Sequence, residues 1–328
     1  GPASGPGRNP WDPARWTGGS SSGSGAAVGG GLVSFALGTE TWGSILCPSA
    51  FCGVTGLRPT YGLVSRAGGM VGAYSFDKIG PLARSAADCR AILGAIAGPD
   101  ENDLTTVERR VDLTQRRRSP RAIKAALIEP DWAKTKGAEP GVRATFERAL
   151  ADLRSLGLDP QPAKLPDFPA AEVSGLLITV EALSTFEHFF EAGGVKQLRD
   201  PYAAHQRDIN SAIHGDDVIK AWRMRRVAQD LMAEFFEQWD VIVAPNFLSV
   251  APPIVTDLYE SLPYGDTVGA FAVACGLPGL ALPMGAATHG LPCSFQLVGA
   301  PFDEALLCDL GELYQSRTRH HLARPAEA

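Results

Sequence analysis

Apolar positions recur along the chain in two rhythms. Val142, Phe146, Ala149, Leu150 and Leu153 fall on one face of a helix predicted over 140–156, with Pro140 in its first turn and Gly157 at its end. A second helix is predicted over 85–97. Ser85 and Asp88 give it a capping-box pattern, Leu93, Ile96 and Ala97 mark its buried side, and Gly98 offers a stop. Residues 172–192 read as helical and rich in aromatic side chains, 217–239 as a long amphipathic helix, and 303–315 as a closing helix before a polar tail from 316. Short unbroken apolar runs at 125–128, 241–244, 280–282 and 295–298 predict buried strands, the second ended by Pro245. Residues 24–37 are small and apolar and predict a helix. Gly29, Gly30 and Gly31 within it would each cost about 1 kcal/mol relative to Ala, so that helix must be closely packed. Residues 1–19 and 100–120 read as loops.

Strands alternating with helices predict an α/β fold with a mixed central β-sheet flanked by helices. The length, 328 residues, suggests roughly two domains on size alone. No internal repeat or long linker divides the chain, however, and one large domain is expected. Composition is ordinary for a globular protein, with 45% apolar and 20% charged residues. A net charge of −6 argues against a nucleic-acid surface. Arg109, Arg110, Arg116, Arg117, Arg118 and Arg121 lack interleaved aromatics and read as a solvated loop. No apolar run approaches the ~20 residues of a membrane span, and no signal peptide is visible. The six cysteines form no ladder, and Cys47 and Cys52 have no further partners at metal-ligand spacing. The histidines show no ligand motif, and no phosphate-binding glycine motif is present. A cytoplasmic protein without metal or cofactor is expected, and a homodimer is compatible with this reading.

The candidate chemistry lies in two glycine-rich frames. The first is Gly18-Gly19-Ser20-Ser21-Ser22-Gly23; the second is Gly38-Thr39-Glu40-Thr41-Trp42-Gly43-Ser44-Ile45. Acyl transfer needs a hydroxyl that attacks and backbone N–H groups that hold the oxyanion, and glycine lets the main chain approach a ligand closely. The first frame also fits G-x-S-x-G, with Ser21 as nucleophile. The stretch before it is not the hydrophobic strand such an elbow requires, so that reading is set aside.

Both frames resemble the amidase signature family of serine hydrolases. Further matches are Gly7 to Asp12, Pro48 to Gly62, Gly80 to Ser85, Gly276 to Gly279 and Gly290 to Gly299. The resemblance implies an amidase that breaks a C–N amide bond of a small-molecule substrate. Ser44 is the implied nucleophile. Ser20 is the implied relay, joined to Gly19 by a cis bond and expected within hydrogen-bond reach of Ser44. Thr41, Trp42 and Gly43 are implied to hold the oxyanion with their backbone, with Ser21, Thr39 and Gly19 in support. The family's relay ends on a lysine upstream of the first frame. The first lysine here is Lys78, so the chain is read as the downstream part of a longer protein. The sequence departs from the commoner family pattern at Glu40, Trp42 and Leu46, where many relatives have Asp, Gly and Arg. Trp42 is expected to wall the pocket. Leu177, Phe186, Phe189 and Tyr202 are candidate pocket residues for an apolar or aromatic acyl group. Three alternatives remain: a carbamate (urethane) or ester hydrolase, an inactive homologue, and an amidotransferase subunit.

Overall fold

Successive side chains of β6 (Val241–Pro245) point to opposite sides of a sheet, and all are buried. Val241 and Val243 join one apolar cluster, Ile242 and Ala244 another. A strand covered on both faces must be apolar throughout, which is why its sequence is a run and not an alternation. The computed structural model of the protein describes residues 7–109, 112–114, 118–198, 212–255 and 267–326.

The eight strands are β1 (Phe35–Glu40), β2 (Thr55–Arg58), β3 (Lys78–Ala83), β4 (Ala125–Leu127), β5 (Gln161–Pro162), β6, β7 (Gly279–Ala286) and β8 (Pro292–Gly299). They form one sheet in the order β1-β3-β2-β7-β8-β6-β4-β5. The β4 pairings to β5 and β6 are parallel and the others antiparallel, so the sheet is mixed and the fold is α/β.

On one face lie α3 (Ala86–Ile96), α4 (Pro140–Ser155) and α9 (Glu304–Thr318). Leu93, Phe146, Leu150, Leu307 and Tyr314 from these helices pack on Leu280, Leu282, Phe295 and Leu297. On the other face α7 (Gly215–Gln238) and α8 (Gly269–Ala274) set Ala228, Met232, Phe235 and Phe271 against Ile242, Ala244 and Val298. The predicted face of α4 is buried as expected, and the Ser85–Asp88 capping box of α3 is formed.

The helix expected over 24–37 is shorter and is followed by a strand. Helix α1 (Ser22–Gly29) ends in the glycine run: Gly30 is its cap and Gly31 turns the chain at φ +76°. The glycines therefore terminate the helix. The chain then enters β1, whose buried positions are Gly38 and Glu40 while Phe35 and Leu37 are exposed at the sheet edge. Apolar periodicity points the wrong way for such a strand. Helix α2 (Leu46–Cys52) follows, entirely buried. Helices α5 (Ala170–Thr185) and α6 (Glu187–Glu191) divide the aromatic stretch. The chain past 316 is not simply a tail: α9 runs to Thr318, and a 3-10 turn spans His320–Leu322.

Candidate active site

The turn carrying Ser44 leaves the end of β1 and enters α2 two residues later. The first frame lies directly against α2. At Gly18, with φ +82°, a Cβ would come within 2.7 Å of the Pro48 backbone. Only glycine satisfies both the conformation and the approach. The Gly19–Ser20 bond is cis, and α1 begins at Ser22.

The backbone joins the two frames. The Ser21 amide donates to the Ser44 carbonyl at 3.2 Å. The Ser21 hydroxyl donates to the Thr39 carbonyl and accepts from the Thr39 amide, both at 3.0 Å. Ser20, Ser21, Thr39 and Ser44 are thus brought to one place. Ser20 is exposed and Ser44 half-buried. No hydrogen bond links the Ser20 and Ser44 hydroxyls; Ser21, through both backbone and side chain, makes the bridge.

The Thr41–Ser44 turn is held from several sides. Gly43 adopts φ +78°, and its carbonyl accepts the Cys47 amide at 2.7 Å. The Thr41 hydroxyl donates to Asp77 Oδ1. Asp77 Oδ2 accepts the amides of Gly72 and Ala73 at 2.6 and 3.0 Å. Among the described residues, the amides of Trp42, Gly43 and Ser44 donate to no protein group. The Trp42 side chain is 36% exposed.

Beneath the turn lies a buried charged cluster. Glu40 Oε2 accepts the amides of Ile45 and Leu46 at 2.7 and 3.0 Å. Its Oε1 accepts from Arg58 Nη1 at 2.8 Å, and neither side chain reaches solvent. Arg58 Nε donates onward to the Leu277 carbonyl at 3.0 Å. Burial works to raise the Glu40 carboxyl, but Arg58, Lys78 and the donated hydrogen bonds outweigh it and hold the group below the usual carboxylate range. Lys78 is the cross-strand partner of Glu40 and is 2% exposed. Its Nζ donates to the Phe76 carbonyl at 2.5 Å. Burial foremost, together with the Arg58 charge, pushes its amine down to about 7 against the pull of Glu40 and Asp77.

The 72–77 loop that carries Asp77 is tied to the helical layer. Glu181 accepts the Ser75 amide at 2.9 Å and the Ser75 hydroxyl at 2.6 Å. Arg225 donates to the Ser75 hydroxyl at 2.7 Å and stacks 4.0 Å from the Phe76 ring centroid. Of the expected pocket residues, Leu177 is buried in a cluster with Ala73 and Phe76. Phe186 lies beside Gly72, Phe189 is partly exposed, and Tyr202 is outside the described residues.

Pattern reading passed over the polar supports, namely the roles of Glu40, Arg58, Asp77 and Lys78. Glu40 stood out only as a departure from a family pattern. A buried acid and its counter-charge come from strands far apart in sequence, so spacing carries no signal for them. Of the arginine run, Arg109 stacks on Phe302 at 4.4 Å and Arg118 pairs with Asp240 at 3.2 Å; Arg110, Arg116 and Arg117 lie outside the described residues. Among the described residues no helix is long and apolar enough to cross a membrane.

A family model described as Amidase matches residues 1–308. The chain is 34% identical to the A-type subunit of the glutamyl-tRNA(Gln) amidotransferase of Symbiobacterium thermophilum, over 97% of its own length and 70% of the relative's. In three dimensions it resembles the corresponding protein of Thermotoga maritima, with a TM-score of 0.82 and 32% identity over 95% of this chain and 68% of that one. It equally resembles the peptide amidase of Stenotrophomonas maltophilia, with a TM-score of 0.82 and 34% identity over 98% of this chain and 69% of that one.

Proposed function

The chain belongs to the Amidase family, and on that premise we propose that it cleaves a small or aryl acyl amide through an acyl-enzyme on Ser44. Ser44 Oγ forms a bond to the carbonyl carbon and gives up its proton to Ser20. The carbonyl oxygen becomes an oxyanion facing the amides of the Thr41–Ser44 turn. The C–N bond then breaks and the leaving nitrogen takes a proton. Water, deprotonated by the same relay, attacks the acyl-enzyme and releases the acid. The relay's terminal base is by resemblance a lysine before the first frame, where residues 7–17 hold none.

One observation carries the reading. Ser44 sits in a turn held from several sides, yet among the described residues its hydroxyl and the amides of Trp42, Gly43 and Ser44 are not bound to other protein groups. Donors fixed in advance around a developing charge are worth ~2.7–4 kcal/mol each in acyl transfer. A test follows from the covalent step. The purified full-length protein should release amine and acid in equal amounts from an aryl acylamide, and added hydroxylamine should divert the acyl group to a hydroxamate. Hydrolysis with no hydroxamate at any hydroxylamine concentration speaks against an acyl-enzyme.

A second reading is an A-type amidotransferase subunit, favoured by the 34% identity to one such protein. It expects ammonia release from glutamine and co-purification of partner subunits. Carbamates and esters fit the same acyl chemistry and are resolved by assaying them beside the amide.

A further inference from the structure

We propose that Glu40, clamped by Arg58, is a positioning residue for the Ser44 turn, and this rests on the reading of Ser44 as nucleophile. Glu40 is the last residue of β1, and Ile45 caps α2. The Glu40 carboxylate therefore closes the turn from strand to helix by accepting the two amides that follow Ser44, at 2.7 and 3.0 Å. Its other oxygen is occupied by Arg58 at 2.8 Å. Arg58 in turn is fixed to the Leu277 carbonyl. The position of the nucleophile is thereby referred to β2 and to the segment leading into β7, not to the turn's own short loop.

The arrangement is more than a helix cap. A neutral Asn or Ser at the start of a helix could accept such an amide without a buried counter-charge. Here an ion pair is taken fully out of water, which in general stabilises a fold little and costs much when one partner is lost. What the pair supplies is fixed geometry: the carboxylate oxygens cannot rotate toward another donor. The Lys78 amine, across the strand pair, is engaged by the Phe76 carbonyl and leaves Arg58 as the direct partner of Glu40.

The test compares a serine-directed fluorophosphonate on the unmodified protein and on two variants, with the adduct mapped by peptide mass spectrometry. Glu40→Leu with Arg58→Met replaces the pair by apolar side chains of similar size, a change that commonly preserves folding. The double variant also strips the Ile45 and Leu46 amides of their acceptor, so it should unfold cooperatively at a lowered thermal midpoint. In the folded protein Ser44 should label roughly tenfold or more slowly, because small misplacements of a reacting group carry losses of that size. Substrate KM should change little while kcat falls. Glu40→Gln keeps one oxygen for the two amides but sets an NH2 donor against Arg58 Nη1, so it should slow labelling in the same direction. In the unmodified protein the Ile45 and Leu46 amides should resist hydrogen exchange while that of Gly43 exchanges readily.

A folded double variant that labels Ser44 at the unmodified rate overturns the positioning role and leaves the nucleophile intact. So does rapid exchange at Ile45 and Leu46. A probe that lands on another serine in the unmodified protein overturns the nucleophile itself. The two failures are therefore distinct.

Discussion

The amide of Ser21 donates to the carbonyl of Ser44 at 3.2 Å, while the Ser21 hydroxyl clasps Thr39 through both of its backbone groups. The residue that fits a nucleophile elbow is thus spent on holding two frames together. Ser21→Ala keeps the amide and loses the clasp. Activity should fall by less than about tenfold, with stability reduced by about 1 kcal/mol, the usual scale of one hydrogen bond. Steady-state kinetics and urea unfolding read both. Complete loss of activity in a folded Ser21→Ala protein contradicts this assignment.

Thr41 and Asp77 form the outer fastening of the turn. Thr41→Val conserves shape and removes the donor, leaving the Asp77 carboxylate without one partner while Gly72 and Ala73 still donate to it. Loosened backbone donors act on the transition state, so kcat should fall about tenfold with KM nearly unchanged. Equal kcat for Thr41→Val and the unmodified protein removes the fastening from the mechanism.

Lys78 gives a pH signature of stability. Its amine is pushed down to about 7 in the folded chain, whereas an unfolded lysine titrates near 10.4. Between those values the unfolded chain holds a proton that the folded chain lacks, so this group makes stability rise with pH across that window, by about 1.4 kcal/mol per unit. The penalty is fully present below about pH 7. Lys78→Met removes it. The variant should therefore gain most over the unmodified protein near pH 6, with the gap closing toward pH 10. Urea unfolding at several pH values reads this, and parallel stability curves contradict it.

Phe146 tests the fold beneath the site. It is fully buried on α4 against the sheet. Phe146→Ala should cost about 3–5 kcal/mol, read as a lower urea midpoint with unchanged slope. A cost under about 1 kcal/mol, the scale of a surface change, places the helix elsewhere.

Legibility in the sequence followed burial. Helix α4 and strands β6 and β8 could be read from their apolar positions because they are packed on a continuous core. β1, β2 and β3 could not. Their buried positions include Gly38, Glu40, Arg58, Lys78 and Pro81, which break any apolar rhythm. Those strands carry the site. The glycine frames marked where the chemistry lies, since Gly18 and Gly43 need positive φ. The charges that hold the frames in place come from three different strands, and only the fold brings them together.

The most direct measurement is the site of covalent labelling. The protein is treated with a fluorophosphonate at near-neutral pH, digested, and its peptides sequenced by mass spectrometry. The adduct should sit on Ser44 alone, labelling and amidase activity should be lost in parallel, and Ser44→Ala should take up no probe while unfolding at the same urea concentration. An adduct on Ser20, Ser21 or Ser24, or full amidase activity in Ser44→Ala, contradicts the assignment of Ser44 as nucleophile.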